Sequence, residues 1–409
     1  MILLQSLLGL IALTFIAWAL SENRKEISWK APVAGLALQL VIAVLLLKFP
    51  PFQAAFVGLN SVVLALQEAT EKGTALVFGF IGGGPLPFDE PFPGAAWIFA
   101  FRGLPLILVM SALSALMFYW KILPAIVRGF AWVLRRTLGI GGAVGVSAAA
   151  NVFVGMVEAP LFIRPYLLKL SRSELFMVMT CGLATVAGTV MVLYAAILGP
   201  VIDNVLGHIL TASLISAPAA IMIARMMVPD DGKENTEAEN VTPPAEADTA
   251  MEAVVNSTVQ GITLILNIIA MLIVMVALVH LANMTLAFFG EEISIQTISG
   301  YAFTPIAWLM GIPWDESFMA GQLLGTRLVL TEFVAYLEMA KMPLTERTSL
   351  IMLYGLCGFA SLPSLGIMIG GLGVMVPERR REIIDLGFKS VISATLATAL
   401  TGGIVGLLG

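Results

Sequence analysis

Charge is what this chain of 409 residues has least of: 12% of its side chains are Asp, Glu, Lys or Arg, while 59% are apolar. A soluble globule of this length carries roughly twice that charged fraction, so the composition excludes one. The net charge of −5 also lacks the basic excess of a nucleic-acid binder. Cysteine is nearly absent. Cys181 and Cys357 both lie in apolar runs, which suits small packing residues and excludes a disulfide framework. His208 and His280 stand at unrelated positions. No His-Glu-x-x-His pair, paired aspartates or serine with a partner histidine is present at membrane depth to support an intramembrane protease or lipid-linked transferase. What remains, at a mean hydropathy of +0.95, is the composition of a polytopic membrane protein, and we read no enzyme in it.

Runs long enough to cross about 30 Å of hydrocarbon lie near 1–20, 31–49, 98–119, 174–199, 208–227, 259–288, 348–372 and 386–408. In the first of them the basic residues follow the apolar run (Arg24, Lys25, Lys30), the reverse of a secretory signal, so it reads as a span. Two weaker segments, 141–169 and 318–341, are broken by glycine, proline or glutamate and suit re-entrant pairs of half-helices. The expected fold is therefore all-α, with eight transmembrane helices and two oppositely oriented re-entrant hairpins in an inverted repeat. With both termini outside, sixteen of the 22 lysines and arginines fall on the inner side, which is the arrangement the positive-inside rule selects. Residues 54–69 read as an interfacial helix, and 229–252, rich in acidic residues and proline, as a solvated cytoplasmic loop.

The repeat is visible in the residues. Cys181-Gly182-Leu183-Ala184-Thr185 recurs as Cys357-Gly358-Phe359-Ala360-Ser361, and a glutamate precedes each copy, Glu158 by 23 residues and Glu332 by 25. A carboxylate inside a membrane segment is costly and normally faces a cavity or a partner, so these two glutamates lead the functional candidates. The alternatives are an ion pair of Glu158 with Arg164 and of Glu332 with Arg327; Glu338 is expected to be exposed. Asn151 to Pro160 and Ser361-Leu362-Pro363-Ser364-Leu365-Gly366 combine proline and glycine with polar side chains, as where a helix breaks and frees backbone groups to bind a ligand. Thr185 either joins such a site or bonds the carbonyl one turn back. Asn151, Thr185 and nearby carbonyls offer an all-oxygen environment suited to a hard monovalent cation. Two hairpins opening to opposite faces suit alternating access better than a continuous channel.

At these residues the chain resembles the concentrative nucleoside transporter family, bacterial type. The resemblance is carried by Asn151 to Tyr166 (NVFVGMVEAPLFIRPY), Gly325 to Glu338 (GTRLVLTEFVAYLE) and Cys357 to Leu372 (CGFASLPSLGIMIGGL), and it runs over essentially the whole chain. It implies a homotrimer in the inner (plasma) membrane, importing nucleosides by an elevator motion driven by a cation gradient, sodium or alternatively protons. Its domains would be two amino-terminal scaffold spans (1–50), an interfacial and external segment with a third scaffold span (51–120) and a first transport repeat (121–227). A cytoplasmic loop (228–252), a long sixth scaffold span (253–290) and a second transport repeat (291–409) would complete the chain. Carried over by position, sodium would be held by Asn151 and Thr185 with the carbonyls of Val154 and Val186. The base would meet Met156, Val157, Glu158 and Val190, and the ribose Glu332, Ser361 and Ser364 beside Phe359.

Two departures bear on specificity. The family commonly reads Gly-Gln-Thr-Glu where this chain has Gly155-Met156-Val157-Glu158, and Asn-Phe-Ser-Ser where it has Ser361-Leu362-Pro363-Ser364. Each lost hydrogen-bond partner costs a buried polar ligand about 1–3 kcal/mol. The expectation is an altered or relaxed base preference with a ribose-like diol still recognised; another ribose-like or nucleoside-derived solute is the alternative.

Overall fold

The computed structural model describes residues 2–89, 96–230, 247–290 and 293–408. Among them the regular structure is helical. α1 (Ile2–Ala19), α2 (Lys30–Lys48), α3 (Pro50–Phe78), α4 (Leu106–Tyr119) and α5 (Ile122–Leu138) precede a short pair, α6 (Gly142–Asn151) and α7 (Glu158–Leu161). α8 (Arg172–Ala184), α9 (Gly188–Leu198), α10 (Val205–Met227) and α11 (Ala250–Leu286) follow. Then come α12 (Ile295–Leu309), a second pair α13 (Trp314–Val329) and α14 (Glu332–Met339), and α15 (Glu346–Leu356), α16 (Leu362–Met375) and α17 (Arg380–Leu408).

Each apolar run of the sequence falls mainly on helix, with 174–199 and 348–372 each broken into two helices. Among the described residues six stretches are long and apolar enough to cross a membrane: Lys30–Lys48, Phe99–Tyr119, Arg172–Leu198, Val205–Met227, Ala250–Leu286 and Pro377–Leu408; α1 and α16 are shorter apolar helices. The expected interfacial helix at 54–69 is longer, starting on the Pro50-Pro51 pair, whose fixed φ suits a first helical turn, and ending at Phe78. α5 and α12 were not anticipated. α5 carries Arg128, Arg135 and Arg136 on an otherwise apolar helix, and α12 contains Pro305, so neither reads as an uninterrupted span. The acidic segment expected at 229–252 lies mostly outside the described residues.

Burial sorts the helices into an inner and an outer group. Four fifths of the most apolar part of α10 and of α17 is buried, whereas only 6% of that of α11 is, although it is the most apolar of these six stretches. At about 1.5 Å per residue α11 is roughly 55 Å long, well beyond the hydrocarbon thickness, so it must tilt or protrude. α4 lies along α11, α2 along α10, and α1 along α17 and α12.

An ion cluster fastens the α1–α2 connection to the inner group. Arg172, just inside α8, reaches the Glu22 carboxylate at 3.0 and 3.2 Å and Asp385 of α17 at 2.7 Å, and Lys389 closes on Glu22 from α17. The Arg172 guanidinium holds the Glu22 carboxyl below its ordinary value of 4.5, against a smaller opposing effect of burial, with Lys389 acting in the same direction as Arg172. A carboxylate with a lowered folded-state pKa stabilises the fold above its unfolded pKa and loses that contribution as pH falls through the folded value. The thermal midpoint of the wild-type protein is therefore expected to fall more between about pH 6 and about pH 3.5 than that of Glu22→Gln, and the difference should shrink in high salt. Equal slopes for the two proteins would remove Glu22 from the acid response.

Candidate substrate and cation site

The helices that position the site are those that stop early. α6 ends at Asn151, and residues 152–157 pass without regular helix to α7. α8 stops at Ala184, and α9 starts at Gly188, leaving Thr185, Val186 and Ala187 extended or turning. In the second half α13 and α14 are separated by Leu330 and Thr331, and α15 and α16 by Cys357 to Ser361. Broken ends leave backbone groups without helical partners, and those groups must find others.

In the first half they find one another. Gly188 N–H donates to the Phe153 carbonyl at 3.0 Å, and a Cβ at Gly188 would stand 2.6 Å from that same oxygen, so only glycine permits the approach. The Thr185 hydroxyl donates to the Cys181 carbonyl at 3.0 Å and lies 3.4 Å from the Asn151 carbonyl. Both readings of Thr185 thus describe one geometry: it bonds back one turn while facing the end of α6. Ser213 of α10, which the sequence did not single out, accepts the Val186 N–H at 3.1 Å and has its hydroxyl 3.4 Å from the Val186 carbonyl. Asn151, Thr185 and Val186 are buried, Val154 half-buried. The result is a knot of side-chain and backbone oxygens at the junction of three helix ends.

The tip between α6 and α7 lies between α8 and α16. Met156 is buried, with its Cβ 3.2 Å from where a Cβ at Gly182 would stand, and Val157 packs against Gly371 of α16. Val190 is buried one turn into α9. Glu158 is exposed, and its carboxylate turns back over Gly155, where the absence of a side chain leaves room for it.

In the second half Glu332 is 4% exposed, at the start of α14, which Thr331 caps. It does not bond Arg327. Its Oε1 accepts the Tyr194 hydroxyl of α9 at 2.7 Å, and its Oε2 has no hydrogen-bond partner among the described residues. Arg327, fully buried, instead donates through Nη1 to the Gly355 carbonyl at 2.6 Å and to Thr398 Oγ1 at 2.8 Å, while the Tyr336 hydroxyl takes the Leu353 carbonyl at 2.9 Å. These two side chains satisfy the carbonyls that the break after α15 leaves open. Glu338, expected to be exposed, is half-buried and accepts the Thr326 hydroxyl at 3.0 Å. Ser361 caps α16, accepting Ser364 N–H at 3.3 Å and donating to Ser364 Oγ at 2.9 Å; Phe359 is half-buried beside it.

The two halves cross at the repeated pentapeptides. A Cβ at Gly358 would stand 3.0 Å from the backbone of Ala184, and the two cysteines both turn to carbonyls of α10, Cys181 to Ala217 and Cys357 to Ile209. Paired broken helices crossing at Ala184 and Gly358, among helices long and apolar enough to span a membrane, are the arrangement of multi-pass helical membrane transporters.

Comparison with known proteins agrees along the whole chain. Residues 8–81 match the Na+ dependent nucleoside transporter N-terminus model, 100–201 the nucleoside recognition model and 208–406 the Na+ dependent nucleoside transporter C-terminus model. The nucleoside permease NupC of Helicobacter pylori is 33% identical over 99% of this chain and 97% of its own length. An uncharacterized transporter of Haemophilus influenzae is 37% identical over 100% and 98%, and human solute carrier family 28 member 3 is 32% identical over 98% of this chain and 59% of its own length. A structure of CNTnw in an inward-facing substrate-bound state superposes with a TM-score of 0.89 at 32% identity, covering 100% of this chain and 98% of that one. An outward-facing CNTnw variant gives 0.91 at 32%, covering 100% and 97%. The chain belongs to the concentrative, Na+ dependent nucleoside transporter family.

Proposed function

We propose that this protein imports nucleosides across the plasma membrane by secondary active transport coupled to sodium. The observation that carries the reading is the oxygen-lined junction of Asn151, Thr185 and Val186, knotted to Phe153 and Gly188, on the same broken helix whose α9 half delivers Tyr194 to the buried carboxylate of Glu332. Sodium binding there, through Asn151, Thr185 and the carbonyls of Val154 and Val186, would order the break and so the substrate groups that α9 carries. That is a physical basis for coupling, since a ligand that orders a mobile segment lowers the cost of binding the next. The uncharged oxygens of Asn151, Thr185 and Val186 support sodium over protons, because neutral oxygen ligands suit a hard monovalent cation.

In this reading eight spans and two re-entrant hairpins, α6–α7 and α13–α14, form each protomer of a homotrimer, with both termini outside. The transport body comprises 121–227 and 291–409 and moves as an elevator against 51–120 and 253–290. Residues 1–50, expected as scaffold spans, are fastened to α10 and α17, so the inner bundle either carries them or breaks the Glu22 cluster as it moves.

Thermal shift on the purified protein tests the reading, comparing purine and pyrimidine nucleosides, free bases and ribose in sodium and in choline. Nucleosides should raise the midpoint in sodium alone, independently of pH. No response to any nucleoside in either salt would place the substrate elsewhere. The apolar Met156 and Val157 make the base side of the pocket permissive. Met156→Gln combined with Val157→Thr is expected to sharpen base preference by about ten-fold, one neutral hydrogen bond of about 1–1.5 kcal/mol. An unchanged preference would sever these two residues from base selection.

A further inference from the structure

We propose that Tyr194 sets the sugar specificity of the site by occupying one oxygen of Glu332, so that the carboxylate offers a single acceptor and the protein reads one sugar hydroxyl rather than a vicinal pair. The inference rests on the nucleoside reading above.

A free carboxylate is a two-oxygen acceptor and is matched by a diol, each hydroxyl donating to one oxygen. Here Oε1 is taken at 2.7 Å by the Tyr194 hydroxyl. Tyr194 cannot swing aside: it is 2% exposed, and its ring is packed on Tyr336, with centroids 5.1 Å apart, and on Phe333, at 6.5 Å. Phe333 is in turn stacked on Phe99 at 4.5 Å. A buried phenol hydroxyl requires a partner, and among the described residues Glu332 is the one it has. Oε2 stays buried with no partner, which is an expensive condition for a carboxylate oxygen unless a ligand supplies the donor.

The serine pair points the same way. The Ser361 hydroxyl is consumed by the α16 cap, donating to Ser364 Oγ, so only the Ser364 hydroxyl retains a hydrogen to give. In the proposed sugar site the open groups are then one carboxylate acceptor, Glu332 Oε2, and one hydroxyl donor, Ser364 Oγ. One sugar hydroxyl, which both donates and accepts, satisfies that pair. Tyr194 is thus a positioning residue. It acts on the sugar through Glu332, from the same helix α9 that carries Val190.

Binding in sodium of a ribonucleoside and of its 2′-deoxy, 3′-deoxy and 2′,3′-dideoxy analogues, to wild-type protein and to Tyr194→Phe, tests this. In the wild type one monodeoxy analogue is expected within about three-fold of the parent, while the other and the dideoxy analogue fall by more than about ten-fold, the loss of a bond to a charged acceptor. In Tyr194→Phe the freed oxygen accepts the second hydroxyl, and both monodeoxy analogues should fall more than about ten-fold below the parent. Equal rejection of both monodeoxy analogues by the wild type, or an unchanged ratio in Tyr194→Phe, overturns the proposal. The wild-type panel decides it even if the variant does not fold. Failure of every nucleoside to bind the wild type is a different result and overturns the nucleoside reading itself.

Discussion

Arg327→Met should lower the stability of the folded protein by about 3 kcal/mol, read as a fall in thermal midpoint of several degrees and a loss of monodisperse protein. The fully buried guanidinium bridges three elements, holding the Gly355 carbonyl at the end of α15 and Thr398 of α17 from its place on α13. Methionine fills much of the volume but leaves the Gly355 carbonyl buried and unpaired. It also removes the positive charge beside the negative end of α15 and near Glu332. Arg327→Lys keeps the charge and one donor, and should recover about half of the loss. Thr398→Ala removes one of the two bonds and should cost about 1 kcal/mol; combined with Arg327→Met it should add little, since the two share one interaction. A fully stable Arg327→Met protein would mean that the end of α15 is satisfied in some other way.

That role was not legible in the sequence. A lone arginine five residues before a glutamate suggests an ion pair, because the eye has only spacing along one segment to work with. The actual partner exists only because α15 breaks at Cys357 and leaves carbonyls open, and because folding brings α13 beside that break across 28 residues of chain. Tyr194 was hidden for the same reason: its bond to Glu332 joins positions 138 residues apart, and nothing local to Gly188–Leu198 marks a tyrosine as polar-facing. Ser213 lies inside an ordinary apolar helix. What was legible was whatever has a one-dimensional signature. The long apolar runs fall mainly on helix, two of them as broken pairs. The glycine, proline and carboxylate interruptions fall on the broken helix pairs, and the repeated Cys-Gly pentapeptides fall on the two helix breaks that cross at Gly358 and Ala184. Burial of individual polar residues was the weakest inference. Glu338, expected to be exposed, is half-buried, because position along a hairpin does not determine which way a side chain faces.

Gly188→Ala should uncouple cation from substrate. The added methyl would stand 2.6 Å from the Phe153 carbonyl oxygen, a backbone atom with no rotamer to yield, so the tip before α7 must withdraw from the start of α9. Withdrawal breaks the 3.0 Å bond from Gly188 N–H to that carbonyl and separates the α6 end from Thr185, whose hydroxyl now lies 3.4 Å from the Asn151 carbonyl. Overpacking of this kind costs about 1–3 kcal/mol, and the strain falls where the proposed sodium ligands meet. Sodium-dependent stabilisation by nucleoside should therefore drop by at least about ten-fold in apparent sodium affinity. Tyr194 and Glu332, which the substitution does not touch, should keep the order of preference among sugar analogues. Gly129→Ala provides the control, since a methyl on that face of α5 meets nothing within 4 Å and removes a helix-interior glycine. It is expected to raise stability by about 0.5–1 kcal/mol and to leave sodium dependence unchanged. Retention of wild-type sodium affinity in Gly188→Ala would move the cation away from the α6–α9 junction, while loss of sugar discrimination together with sodium affinity would mean that α9 responds as a rigid whole rather than at its first turn.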